Sequence, residues 1–156
     1  MTGACRCCTG GFDFALGEER MRLCDDVITV FNGRVDPVSR GEVWEATVIR
    51  GVSWYRARKQ AVETGRGGLS AAGICVIRIP ADADAGGKAY VEGAAYDGEG
   101  CWTLRGGDVI AKGAFPGSDW TPGRLTEAGA EWVTVTAVND NRRAPRGRHW
   151  RVEGSD

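Results

Sequence analysis

Apolar and polar positions alternate with a period of two over short stretches, and almost nowhere with the period of a helix. Residues 131–138 (EWVTVTAV) show it best: Val133, Val135 and Ala137 are separated by Thr134 and Thr136, the pattern of a strand with one buried face. Residues 26–32 (DVITVFN) and 43–50 (VWEATVIR) are rich in β-branched residues and alternate in the same way. Gly51 interrupts the second stretch, and residues 52–58 (VSWYRAR) continue it as one bent strand. Residues 73–79 (GICVIRI) form an apolar strand closed by Pro80, and 88–91, 108–112 (DVIAK) and 148–152 complete the set. Asn32-Gly33 predicts a turn, Asp36-Pro37 a loop, and Gly106-Gly107 and residues 139–143 further turns. Only residues 124–130 suggest a short helical turn. About seven short strands with no crossover helices predict an all-β, antiparallel barrel or sandwich. Residues 59–72 hold three glycines and lack periodicity, and predict a long exposed loop.

Composition fits one domain: 156 residues with 42 % apolar residues suffice for a single core, and 24 glycines suit a chain of turns. A net charge of −1 excludes a global field toward nucleic acid or an acidic membrane. Arginine outnumbers lysine 17 to 3, which fits either many bidentate ion-pair contacts or, more simply, GC-rich codon usage. No apolar run approaches the roughly 20 residues of a spanning helix, and no secretory segment opens the chain. The expected compartment is therefore the cytoplasm, with reduced cysteines.

Residues 1–20 are read apart from the barrel domain at 21–153, as a poorly ordered extension. Codons for Gly17-Glu18-Glu19-Arg20, directly before Met21, can be purine-rich like a bacterial ribosome-binding site, so residues 1–20 are read as upstream sequence read through in frame. The expected translation start is accordingly Met21. Cys5 and Cys8 have C-x-x-C spacing, but no second ligand pair follows, so no zinc site is expected. Residues 154–156 are expected to form a tail.

Candidate chemistry fails on spacing. Asp82 and Asp84 open a calcium-loop pattern, but Gly86 and Gly93 stand where a further acid and the bidentate Glu belong. Gly65-Arg66-Gly67-Gly68 lacks the Lys and the helix of a phosphate loop. His149 is the single histidine and has no neighbouring nucleophile, and Cys75 and Cys101 fall in or beside apolar strands as inert core thiols. No catalytic residue, metal or cofactor is expected. Charge is more informative. Arg50, Arg56, Arg58, Lys59 and Arg66 form a basic block, Asp82, Asp84, Glu92, Asp97 and Glu99 an acidic one, and Arg142, Arg143, Arg146, Arg148 and Arg151 a second basic block. Such separation suits head-to-tail contact between copies. A nucleic-acid-binding barrel is the competing reading, with Trp54 and Trp150 stacking on bases.

Several stretches together resemble a family of prophage-encoded minor structural proteins similar to the head-closure and head–tail joining proteins of tailed phages. They are DVITVFN at 26–32, GVSW at 51–54, IRIPADAD at 77–84, GDVIAKG at 107–113, VTVTAV at 133–138 with NDNRR following, and HWRV at 149–152. The resemblance covers residues 25–153. It implies an SH3-like barrel and a ring at the virion neck that binds portal or adaptor and tail proteins. It also implies assembly in the host cytoplasm, a loop at 58–72 projecting toward the channel, and contact with packaged DNA there. A minor capsid or tail-completion role is the alternative. Candidate subunit-binding residues are Arg56, Arg58, Lys59, Arg66, Asp82, Asp84, Arg142, Arg143, His149 and Trp150.

Overall fold

The alternating segments pair until the first strand meets the last group and no edge separates them. The computed structural model describes residues 25–58 and 73–156. Its strands are β1 (Asp26–Val35), β2 (Glu42–Arg58), β3 (Gly73–Pro80), β4 (Ala89–Tyr90), β5 (Cys101–Trp102), β6 (Val109–Lys112), β7 (Trp132–Asp140) and β8 (His149–Ser155), with a 3₁₀ turn at Gly93–Ala95 and one helix, α1 (Pro122–Glu127). Six strands close a barrel in the order β1-β2-β3-β8-β7-β6, every pair antiparallel. The all-β barrel with at most one short helix is therefore correct. Among the described residues no helix is long and apolar enough to cross a membrane. The expected extension at 1–20, the start at Met21, Cys5 and Cys8, and the loop with Lys59 and Arg66 lie outside the described residues, as does the side chain of Arg58.

Two one-residue bulges let the strands curve into the barrel. In β2, Gly51 takes φ 78°, and the register slips between Asp26↔Val52 and Val27↔Arg50. The inward phase changes there from Ile49 to Val52 and Trp54. In β7 the slip falls between Val135 and Ala137. Strict alternation assigned Ala137 to the core. The extra residue Thr136 donates its hydroxyl to Glu153 O at 3.1 Å, Ala137 turns outward and Val138 packs on the core instead.

Inside lie Ile28, Val30, Ile49, Ile77, Ile110, Val133 and Val152, all fully buried. β1 and β6 are buried on their outer faces too. Phe31, Val109 and Ala111 pack beneath Leu125 of α1, with Phe115, Trp120 and Trp132 around them. The helix starts at Pro122, earlier than the helical pattern indicates. Thr121 Oγ1 accepts from Arg124 N at 3.3 Å, and proline suits a first helical position, where its missing N–H has no intrahelical partner.

Four local readings are corrected. Asn32 and Gly33 are not a turn but the interior of β1, which runs to Val35. Asn32 bonds other segments, and a Cβ on Gly33 would stand 3.0 Å from the Trp44 ring, which would have to give by a few tenths of an ångström. The turn forms at 36–41, where Asp36 accepts from Val38 N and Ser39 Oγ. The tail at 154–156 is also displaced: β8 continues to Ser155, and Gly154 pairs with Cys75 and Val135 across two neighbours. The barrel closes tightly there, since a Cβ on Gly154 would lie 2.5 Å from Val133 Cγ2. Cys101-Trp102 makes an unforeseen strand, and β4 and β5 pair parallel, not antiparallel.

Candidate functional site

The barrel has two ends, and the candidate residues divide between them. At one end β2 finishes and β3 begins. Here Arg56 Nε meets Glu131 Oε1 at 2.7 Å and its Nη1 meets Asp156 at 3.1 Å. Arg56 thus clips the C-terminus to the segment before β7. At the other end, roughly 16 Å away along the five-residue rise from His149 to Gly154, lie Asp82, Asp84, Arg142, Arg143, His149 and Trp150. The candidates do not form one surface.

Residues 81–108 cross this second end and plug it. Asp84 O accepts from Arg50 N at 2.9 Å, and Ala85, Trp102 and Leu104 join the core. Tyr90, Trp102 and Trp150 form a cluster with centroid separations of 4.5–5.3 Å. The Arg142 guanidinium lies 4.8 Å from the centroids of both Tyr90 and Trp150. It also binds Asp140 at 2.6 Å and Glu92 at 3.2 Å. Arg142 is therefore a latch between the β7–β8 hairpin and the plug.

This latch has a pH signature. The side-chain hydrogen bond from Arg142 holds the Asp140 carboxyl down at about 2, below its ordinary 3.8. The ionised form is favoured in the folded state, so its stabilisation is complete above pH 4 and is lost as pH falls through about 2. D140N is expected to flatten the pH dependence of stability between pH 4 and 2, read from urea unfolding at a series of pH values. An unchanged slope would remove Asp140 from the latch.

The charge blocks do not stay separate in space. The acidic segment folds against the same chain, with Asp84 bridged to the Arg50 backbone and Glu92 paired with Arg142, so the charge of Glu92 is neutralised internally. Asp84 carries an Asx turn, accepting from Gly86 N at 2.9 Å. Trp54 and Trp150 are 7 % and 3 % exposed, which removes both as stacking platforms for bases. His149 is half-buried; its Nδ1–H donates to Gly147 O at 2.6 Å, and its Nε2 faces the Asn141 amide at 3.4 Å. That bonding builds the hairpin. Burial pushes the Cys75 thiol up to about 11, so it is inert at neutral pH. Among the described residues no group of His, Cys, Asp or Glu is arranged to hold a metal ion.

Arg143 is exposed on the hairpin, and Arg146 and Arg148 beside it are exposed as well. Sequence reasoning missed two features. One is the ribbon formed by the distal halves of β1 and β2. It continues roughly 13 Å beyond Phe31, the last β1 residue paired to β6, to the Val35↔Glu42 pair. Its tip presents Val35 at 67 % and Val38 at 90 % exposure. The other is the support of that ribbon by Asp108, a buried carboxylate. Asp108 accepts from Asn32 Nδ2 at 2.9 Å, Gly33 N at 3.2 Å and Arg105 N at 3.1 Å, while Arg105 Nη2 donates to Gly33 O at 2.7 Å. The signal for the tip was present in Val-Asp-Pro-Val, where two valines flank a turn.

No curated protein and no solved structure matches the chain. Residues 23–155 match the family of unknown function DUF6751, and the chain belongs to that family.

Proposed function

We propose that the chain is a structural subunit of a tailed-phage virion: a head-closure or head–tail connector protein that assembles as a ring at the neck against portal or adaptor and tail proteins. In this reading it works by binding and carries no catalytic group. It gathers in the host cytoplasm and ends in the virion. The observation that carries the reading is the β1–β2 ribbon. The base of the ribbon packs Trp44 against the Phe31–Leu125 cluster, but the tip beyond it adds nothing to that core. This ribbon is held rigid at its base by Asn32, Asp108 and Arg105, and its turn is fixed by Asp36, yet it ends in two exposed valines. A pre-ordered apolar tip suits insertion between neighbouring subunits, because little further ordering is needed on binding. The resemblance to neck proteins over residues 25–153 supplies the particle.

The test mixes the purified chain with portal assemblies of the same prophage and reads native mass spectra and negative-stain images. Rings or portal-bound subunits are expected for the natural chain. The V35D/V38D variant, altered only at exposed positions, should remain folded and lose them at least tenfold. If the natural chain neither assembles nor binds portal or tail components, the reading fails.

A further inference from the structure

One outer face of the barrel carries cations that the fold leaves uncompensated. On β3, Ile77 and Ile79 point inward and Arg78 outward; on β8, Trp150 and Val152 point inward and Arg151 outward. Arg78 and Arg151 are direct cross-strand partners, and Asn139 of β7 stands next in the row. Like charges directly opposite on neighbouring strands are destabilising. Arg151 is relieved by Glu153 at 2.7 Å. Arg78 instead lies 5.6 Å from the ring centroid of Tyr55, which is 38 % exposed. The β7–β8 hairpin, continuous with β8 at the end of this face, exposes Arg143, Arg146 and Arg148. Among the described residues, Arg78, Arg143, Arg146 and Arg148 have no carboxylate in ion-pair range, although the chain as a whole has net charge −1.

We propose that this face of β3, β8 and the β7–β8 hairpin binds the phosphate backbone of duplex DNA without reading sequence. The neck resemblance implies DNA contact at the 58–72 loop; the DNA-binding surface proposed here is instead the outer β3/β8 face and does not depend on the neck reading. Charge complementarity selects the occupant. In the strand order the β3/β8 seam lies opposite the β1/β6 seam, which is the face a second copy in a ring would offer. That opposite face is covered by α1 and its flanks, where the acids are Asp119 and Glu127, with the cation Arg124 between them in the chain, and Glu131, which is bound to Arg56. Such a face supplies too few free carboxylates for four arginines. A polyphosphate supplies one charge per 1.7 Å of duplex axis. The buried Trp54 and Trp150 exclude base stacking, so backbone contact is what remains.

The experiment is fluorescence anisotropy with a labelled 30-base-pair duplex across 50–200 mM NaCl. With four phosphate contacts the log–log slope is expected to be about −3 to −4, a weakening of about 100-fold over that range. R78S/R143S/R146S/R148S, all exposed positions, should lower affinity at least tenfold at 50 mM and flatten the slope. R124S, on the opposite face, should leave both unchanged. Absence of binding at 50 mM would overturn the proposal, as would equal loss in R124S. So would polyglutamate displacing the duplex as well as unlabelled DNA does at equal charge, because the face would then fit an acidic protein. Portal binding is read separately, so either proposal can fail alone.

Discussion

Replacing Trp150 by alanine is expected to cost about 3–5 kcal/mol of folding stability, the usual range for deleting a large buried aromatic ring. Trp150 is 3 % exposed and touches both parts of the fold. It faces inward from β8 among the barrel residues, and its ring packs on Tyr90 and Trp102 of the plug and beneath Arg142. Alanine removes the ring's buried area, leaves a cavity that the closed barrel has little freedom to fill, and deprives Arg142 of one aromatic face. W150F separates these contributions. The indole Nε1 is buried with no hydrogen-bond partner, so phenylalanine removes an unsatisfied donor while keeping a ring in place. It should cost under about 2 kcal/mol, since the smaller ring's cavity is offset by that relief. Urea unfolding followed by circular dichroism reads both variants. Hydrogen exchange should also show residues 89–102 opening more often in W150A. A loss below about 1.5 kcal/mol for W150A would mean that Trp150 does not join plug to barrel.

Trp150 also marks how far the sequence could be read. Its position in a short alternating strand was legible, because period-two alternation reports a one-sided strand whatever its partners are. The same holds for Val133 and Val135 in β7 and for Ile28 and Val30 in β1. Bulges are less legible. Gly51 stood out because glycine favours φ > 0, whereas Thr136 looks like any strand residue and only its misfit against Glu153 reveals the slip. Asn32-Gly33 misled for a physical reason. Asparagine and glycine favour turns when their side chain and backbone have only local partners. Here Asn32 is bonded to Thr103 and Asp108, 71 and 76 residues away. No local rule sees such distant partners.

Charge was legible in amount but not in placement. The linear blocks suggested separate patches, yet whether an arginine faces outward depends on strand phase and on what crosses the barrel end. Arg142 and Arg56 are tied down within the chain, Arg78 faces outward, and no feature of the charge run distinguished them. Backbone pairing decides: Arg78 alternates with two core isoleucines, and its direction follows from theirs. Hydrophobic alternation was thus the guide to Arg78, whereas Arg143, Arg146 and Arg148 already stood in the second basic block.

Asp108→Ala is expected to lower stability by about 2–4 kcal/mol, somewhat less than the 3–5 kcal/mol typical of breaking a fully buried pair. The Asp108 carboxylate is almost wholly buried and gathers donors from Asn32, Gly33 and Arg105, all of which lose their acceptor together. Arg105 is about a third exposed, so water recovers part of its hydration and the loss is reduced. Asparagine is not a mild replacement, because its amide would point a donor at groups that already donate; D108N should still cost about 2 kcal/mol. A double-mutant cycle with N32A should return a coupling of about 1–2 kcal/mol, since the two side chains share one network. The same substitution joins stability to the proposed function. Asp108 fixes Asn32 and Gly33, and through them the base of the ribbon whose tip carries Val35 and Val38. D108A should therefore weaken ring or portal assembly at a temperature where circular dichroism still reports a folded barrel. V35D/V38D, by contrast, is expected to weaken assembly with no loss of stability. If D108A assembles normally while folded, the ribbon needs no pre-ordering and the assembly surface lies elsewhere on the barrel.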